Sequence, residues 1–322
     1  MKKIISQLFK KLFVKQWVIG ISRGSIKDII RTKIFNPNIK WLELDTIDHF
    51  RADPFPLKDK NGDINIFYED FHFDEFYGDI SIMTIDKNFN QSNHKTILDT
   101  KSHLSYPFIF EENQHIYIFP ESAQSGKLAC YDYNSEKRSL SFVKDIINLP
   151  LLDSTIIKYN GKYWLFGTIG GKNSNRKLFI FFSDNLLGPY TPHKENPVKE
   201  GPNGSRPAGN FIEVDGNLYR PSQNCQNQYG ESITINKVIF LDENAYSEEP
   251  YMLICINRKN KLNRRIKAIH TINILDDLII VDGLKWTFSP KNQWKNFKRN
   301  RVYLKQLKSN KNADNYPTEN LL

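Results

Sequence analysis

The chain has 322 residues, 39% hydrophobic and 13% aromatic, with a mean hydropathy of −0.53. These values exclude a bundle of membrane-spanning helices and fit one large all-β domain or two ordinary ones. Lys and Arg exceed Asp and Glu by nine, but much of the excess lies at the two ends rather than interleaved with aromatics along a groove, so nucleic acid is not an expected partner.

In chain order, residues 1–15 place Ile4, Ile5, Leu8, Phe9, Leu12 and Phe13 at helical spacing among five lysines. This predicts a short basic N-terminal helix able to lie on an anionic membrane surface. Its apolar run is broken by lysines, so it is neither a secretory signal nor a span. A strand, "QWVIGIS", follows, and then a hairpin recurs: "PFPLKDKNGDINIFYE" from 54, "YPFIFEENQHIYIFPE" from 106, "DSTIIKYNGKYWLFGT" from 153, "AGNFIEVDGNLYRPSQ" from 208 and, less regularly, "HTINILDDLIIVDG" from 270. Asn61, Asn113, Asn160 and Asp215 mark two-residue turns. Between the hairpins run "DISIMTID", "GKLACYDYN", "KLFIFFSD" and "ESITINKVIFLD". Two hairpins per repeat of about 50 residues make a four-stranded blade, so residues 16–290 are predicted to form an all-β, five-bladed β-propeller, with the early strand completing the last blade. A β-sandwich is the competing fold. Residues 291–322 read as a basic extension and polar tail.

Aligning the repeats yields a site. The innermost strands begin at Asp53, Ser105-Tyr106, Asp153, Arg206-Pro207-Ala208 and His270; their partners end at Glu69, Glu121, Thr168, Gln223 and Asp282. Carboxylates and an arginine thus recur where a propeller gathers them, at the channel mouth. Arg206, Arg220, Gln223 and Asn224 are expected to bind hydroxyls or phosphate, with Tyr106, Glu69 and His270 beside them; in a propeller that only binds glycans, Trp164 or Tyr219 would give a stacking face. His103 reads as a structural imidazole. The histidines show no metal-ligand spacing and "TIGGKN" lacks a phosphate-loop ending, so neither a catalytic metal nor other cofactor is expected, and a structural ion in the channel stays open. Cys130, Cys225 and Cys255 form no disulfide or metal pattern, which suits a reducing compartment.

"RADPF" and "LDSTIIKYNGKYWLFGT" resemble the Asp-bearing blades of five-bladed arabinanase, xylosidase and invertase propellers. "HLSYPFIFEENQHIYIFPES", "SRPAGNFIEVDGNLYRPSQNCQNQYGESITI" and "HTINILDDLIIVDG" more closely resemble the N-terminal propeller domain of the glucosamine inositolphosphorylceramide transferase family and its bacterial relatives in surface-polysaccharide synthesis, over residues 15–290. The hydrolase resemblance implies Asp53 as base or nucleophile and Asp153 as the carboxylate that orients it. Its general acid does not carry over cleanly: "EGP" at Glu200 sits ahead of the aligned strand, leaving Glu231 of "YGES" or Glu121 of "FPES" as preferred acids. The expectation is a carbohydrate-active enzyme, first a glycosyltransferase of surface polysaccharide or glycolipid assembly, cytoplasmic and peripheral at the inner membrane face, acting on a sugar donor or glycan. A glycoside hydrolase and a non-catalytic glycan-binding propeller are the alternatives.

Overall fold

Strand formation follows the apolar runs that the turns punctuate. In the computed structural model, which describes residues 12–257 and 259–298, the chain opens on β1 (Phe13–Arg23), a short helix α1 (Ile26–Thr32) capped by Ser25, and β2 (Lys40–Trp41). It then builds four blades in turn. The first holds β3 (His49–Lys58), β4 (Ile64–His72), β5 (Tyr77–Ile85) and β6 (Gln91–Leu98). The second holds β7 (Ser105–Glu112), β8 (His115–Glu121), β9 (Leu128–Asn134) and β10 (Ser139–Ile147). The third comprises β11 (Leu151–Tyr159), β12 (Lys162–Ile169), β13 (Lys177–Ser183), β14 (Thr191–Pro192) and β15 (Lys199–Glu200). The fourth comprises β16 (Asn203–Pro207), β17 (Ile212–Val214), β18 (Asn217–Asn224), β19 (Ser232–Leu241) and β20 (Tyr246–Ile254).

The fifth blade joins both ends of the chain. β21 (Ile266–Ala268) and β22 (Ile272–Leu275) pair with β23 (Leu278–Phe288), and β23 pairs with β1 from Phe13↔Phe288 to Arg23↔Leu278. "QWVIGIS" therefore closes the ring, as its sequence suggested, and five separate antiparallel sheets rule out a sandwich. The lysine-rich stretch 1–11 lies outside the described residues; Phe13, Val14 and Lys15 already belong to β1, and the short helix near the N-terminus is α1, which carries Lys27 and Arg31.

Three of the repeated turns are two-residue hairpins with both central residues at positive φ: Asn113-Gln114, Asn160-Gly161 and Asp215-Gly216. Asp276-Asp277 is a fourth two-residue turn. The first repeat departs from expectation. Asp59 accepts from the backbone of Asn61 and Asp63, making a longer loop that displaces Asn61 from a two-residue turn.

Hydrophobic side chains fill the spaces between blades. Phe55, Phe67, Phe108, Phe119 and Leu165 belong to a cluster spanning blades one to three, while Ile19, Ile280, Ile66 and Tyr68 join the fifth to the first. Inner strands are thus covered on both faces and read as near-continuous apolar runs, such as the Tyr163–Phe166 stretch of β12. The outermost β6 carries an exposed, lysine-bearing edge, which discourages pairing with other chains.

Candidate functional site

The repeat columns have a backbone cause. In the first three blades the innermost strand pairs its partner at Ala52↔Glu69, Ser105↔Glu121 and Leu152↔Thr168, then bulges. The following residue is left-handed each time: Asp53 (φ 49°), Tyr106 (φ 43°) and Asp153 (φ 50°). Such a conformation is strained for residues other than glycine. At the fourth blade Gly209 (φ 124°) lies against blade five, where a Cβ would meet Ile272 O at 1.9 Å.

A cavity of about 540 Å³ opens at the axis. Asp53, Glu69, Glu121, Arg206 and His270 line it, with His103, Ser105 and the aromatic residues Trp17, Phe50, Phe71, Phe73, Tyr229 and Trp286. Lys15, Gln293 and Asn296 complete the rim. Beneath this lining Asp153 is held by Arg206, whose Nε lies 2.5 Å from Oδ2 and Nη2 3.0 Å from Oδ1. Gln223 Nε2 donates to the same Oδ2 at 2.6 Å. Arg206 also donates to Asn175 Oδ1 and, at 3.4 Å, to Glu121 Oε2, and its guanidinium lies 5.2 Å from the Tyr229 ring centre. Its donors are thus engaged by protein groups, and its charge offsets Asp153.

Across the cavity, Thr271 Oγ1 donates to Asp53 Oδ1 at 2.6 Å. His270 lies between two carboxylates, with Nε2 3.6 Å from Asp53 Oδ1 and Nδ1 2.5 Å from Asp282 Oδ2. Trp17 stacks on the imidazole at 3.9 Å. Donor atoms of Asp53, His270 and Asp282 lie within 4.8 Å of one another, close enough to share a cation. In the arrangement described, the imidazole occupies the space between the two acids.

Burial and neighbouring charge separate the acids by protonation. Desolvation pushes Asp53 up to about 6, against the pull of His270. Glu69 rises well above the usual carboxylate range through burial and then the charge of Asp53; Glu121 does so through burial and then the charge of Asp153. Burial opposes a charge on His270, but Asp282 and Asp53 outweigh it and raise its affinity for a proton. The site therefore combines an ionisable base, Asp53, with two carboxyls, Glu69 and Glu121, that burial biases toward the protonated form, the kind of pairing that general acid–base chemistry uses.

The structure thus brings Asp53, Glu69, Glu121, Asp153, Arg206, Gln223 and His270 together, and it does not bring the other expected residues to the cavity lining. Tyr106 is fully buried, its hydroxyl bonded to Thr155 and accepting from Gly209 N at 2.7 Å, so it ties blades together. Arg220 points along the opposite strand face into a buried ion pair with Glu248, Nε to Oε2 at 2.8 Å. Asn224 Oδ1 accepts from Gln226 N in the loop after β18, and Glu231 accepts from Asn227 at 2.8 Å. Glu200 pairs with Lys177 at the blade edge. Trp164 and Tyr219 pack in interblade clusters. His103, expected to be structural, both accepts from Gly78 N at 3.0 Å and lines the cavity, 3.8 Å from Glu69.

Sequence reasoning missed the aromatic wall, Lys15 and Asn175. One signal was available: in "YGES", Gly230 has φ 62°, and a Cβ there would meet His270 at 2.7 Å, so that glycine lets Tyr229 close over the site.

Comparison with known proteins places these features in context. The family model for the glucosamine inositolphosphorylceramide transferase 1 N-terminal domain matches residues 40–276. Glucosamine inositolphosphorylceramide transferase 1 of Arabidopsis thaliana is 37% identical over 206 residues, covering 62% of this chain and 27% of the plant protein. The Oryza sativa subsp. japonica protein of the same name is 33% identical over 211 residues, covering 64% and 28%. This chain therefore spans about a quarter of the curated relatives it matches. Among solved structures, a family 117 glycoside hydrolase of Zobellia galactanivorans superimposes with TM-score 0.54 at 14% identity, covering 87% of this chain and 92% of the hydrolase. A thermostable family-43 glycoside hydrolase gives 0.52 at 14%, covering 74% and 90%. At such identities the likeness establishes the propeller fold.

Proposed function

The chain belongs to the glucosamine inositolphosphorylceramide transferase 1 N-terminal family, and from that premise we propose that it is a carbohydrate-active propeller that transfers a sugar during glycolipid or surface-polysaccharide assembly. The observation that carries this reading is the convergence of Asp53, Glu121 and the Asp153–Arg206 pair, from four blades, on one aromatic-walled cavity. Sugar rings present apolar faces suited to such walls and hydroxyls suited to carboxylates. Bond making or breaking at an anomeric carbon develops oxocarbenium character, which an ionised carboxylate stabilises while a neutral acid serves the departing oxygen.

In this reading Asp53 is the carboxylate at the anomeric centre, Glu121 is the acid, and Asp153 is a positioning residue fixed by Arg206 and Gln223. The test is incubation with nucleotide sugars and extracted lipid acceptors, beside chromogenic furanosides and pyranosides, for wild type, Asp53→Asn and Glu121→Gln. A glycosylated lipid that is lost in both variants is expected. Release of free sugar alone would replace transfer by hydrolysis. Glycan binding unaltered by Asp53→Asn, with no turnover on any donor, would reduce the protein to a binding module.

A further inference from the structure

The two ends of the propeller leave it together. Ser289 N donates to Leu12 O at 2.8 Å, so the chain enters and exits at one point beside the cavity rim, where Lys15, Trp286, Gln293 and Asn296 stand. Residues 1–12 carry four lysines and no acid, and residues 289–322 carry eight Lys or Arg against Asp314 and Glu319. With a whole-chain charge of +9, the blades themselves are close to neutral, and the positive excess lies in the sequence up to Leu12 and from Ser289 onward.

The helical segment at 290–298 is fastened on one side. Asn292 donates to Ile47 O at 2.7 Å, Lys291 pairs with Asp48, and Lys295 pairs with Asp74 of the first blade. Its other side presents Trp294 and Phe297, 59% and 58% exposed, with Lys298 over the Trp294 ring, and Phe288 is exposed just before it. Aromatic rings next to concentrated positive charge match the interface of an anionic bilayer, where rings enter the headgroup layer and cations meet lipid phosphates.

We propose that this rim docks on an anionic lipid surface through Trp294, Phe297 and the neighbouring Lys298 and Lys15, so that the cavity faces the headgroup layer and receives a sugar-bearing lipid headgroup there. The second half of this statement rests on the sugar-transfer reading above; the docking itself does not. The test is flotation of the full chain with phosphatidylcholine vesicles containing 30% phosphatidylserine, with pure phosphatidylcholine vesicles, and a competition with polyuridylic acid. Wild type should float with the anionic vesicles, lose that binding at high salt, and show little binding to the neutral ones. Replacing Trp294 and Phe297 together by Ser should weaken binding at least about tenfold, with unchanged circular dichroism and unchanged turnover of a soluble glycoside or sugar donor. Asp53→Asn should float like wild type, which separates failure of docking from failure of the chemistry. Wild type that stays with the soluble fraction, a Trp294/Phe297 variant that floats equally well, or polyuridylic acid that strips the protein from vesicles at equimolar charge would overturn the proposal.

Discussion

Replacing Arg206 by Met keeps the length of the side chain and removes its charge, leaving Asp153 with Gln223 as its remaining side-chain partner. Asp153 is 2% exposed and Arg206 11%, and two N–H groups of the guanidinium reach the carboxylate at 2.5 and 3.0 Å. Breaking a buried pair of this kind from one side costs about 3–5 kcal/mol, mostly because the remaining charge is stranded out of water. For a chain of this size that corresponds to a fall in Tm of about 4–7 °C. The assay is a double-mutant cycle by thermal and urea unfolding over Arg206→Met, Asp153→Asn and the double variant. Neutralising Asp153 should recover part of the loss, with a coupling near 2 kcal/mol. A single variant melting within a degree of wild type, or a double variant whose loss equals the sum of the singles, would show that the pair does not hold the floor of the cavity.

Asp53→Asn should raise stability while ending activity, because asparagine tolerates the left-handed conformation and can still accept from Thr271. The folded protein holds the Asp53 proton up to about pH 6, against 3.8 for the ordinary group. That makes the folded state the better proton binder between those values, so stability falls as pH rises from about 4 to 6, by on the order of 3 kcal/mol at completion. Denaturant melts at pH 4 and 7.5 should show a smaller drop in the variant; an identical drop would contradict the buried-acid account. The same ionisation predicts that kcat/KM of the wild type rises through about pH 6, and a rate independent of pH between 5 and 7 would exclude Asp53 as the base. Gly209→Ala drives a methyl into Ile272 O and should cost at least about 3 kcal/mol or prevent folding, read by thermal melting or soluble yield. Tyr106→Phe removes the hydroxyl that receives Gly209 N and should cost about 1–3 kcal/mol with KM unchanged; a KM effect without a stability effect would return Tyr106 to the substrate.

The five-fold architecture was legible because a repeat multiplies weak local signals. Asn160-Gly161 alone marks a turn, whereas four comparable turns at similar spacing mark blades. The same register identified Asp53, Glu121 and Asp153, since a column conserved in position by the fold lands at the axis whatever its chemistry. Side-chain direction was harder to read. Arg220 and Gln223 lie three residues apart on one strand; alternation sends them to opposite faces, so the arginine meets Glu248 and the glutamine meets Asp153. Composition made both look like ligands for substrate. The aromatic wall was invisible for another reason: Trp17, Phe71, Tyr229 and Trp286 come from strands and loops with no common repeat position, and closure of the ring alone assembles them.

The recurring acids also have a role in holding the bulges that aim the site. Asp282 of the fifth blade accepts from the backbone N–H of Asp53 at 3.2 Å, and Glu121 of the second accepts from that of Asp153 at 3.2 Å. In both cases an acid at the end of one blade's second strand satisfies the amide of a strained residue in the next blade. A buried donor left open there would cost about 1–3 kcal/mol on top of the strain. The third blade has Thr168 in that column instead of an acid, and across the junction the fourth blade supplies Arg206, which reaches back to Asp153. A carboxylate at 168 would offer the guanidinium a further buried acid beside Asp153 and Glu121. With threonine there, Arg206 keeps its short contacts for Asp153 and reaches Glu121 only at 3.4 Å, so the guanidinium fixes Asp153 most firmly of the acids it meets.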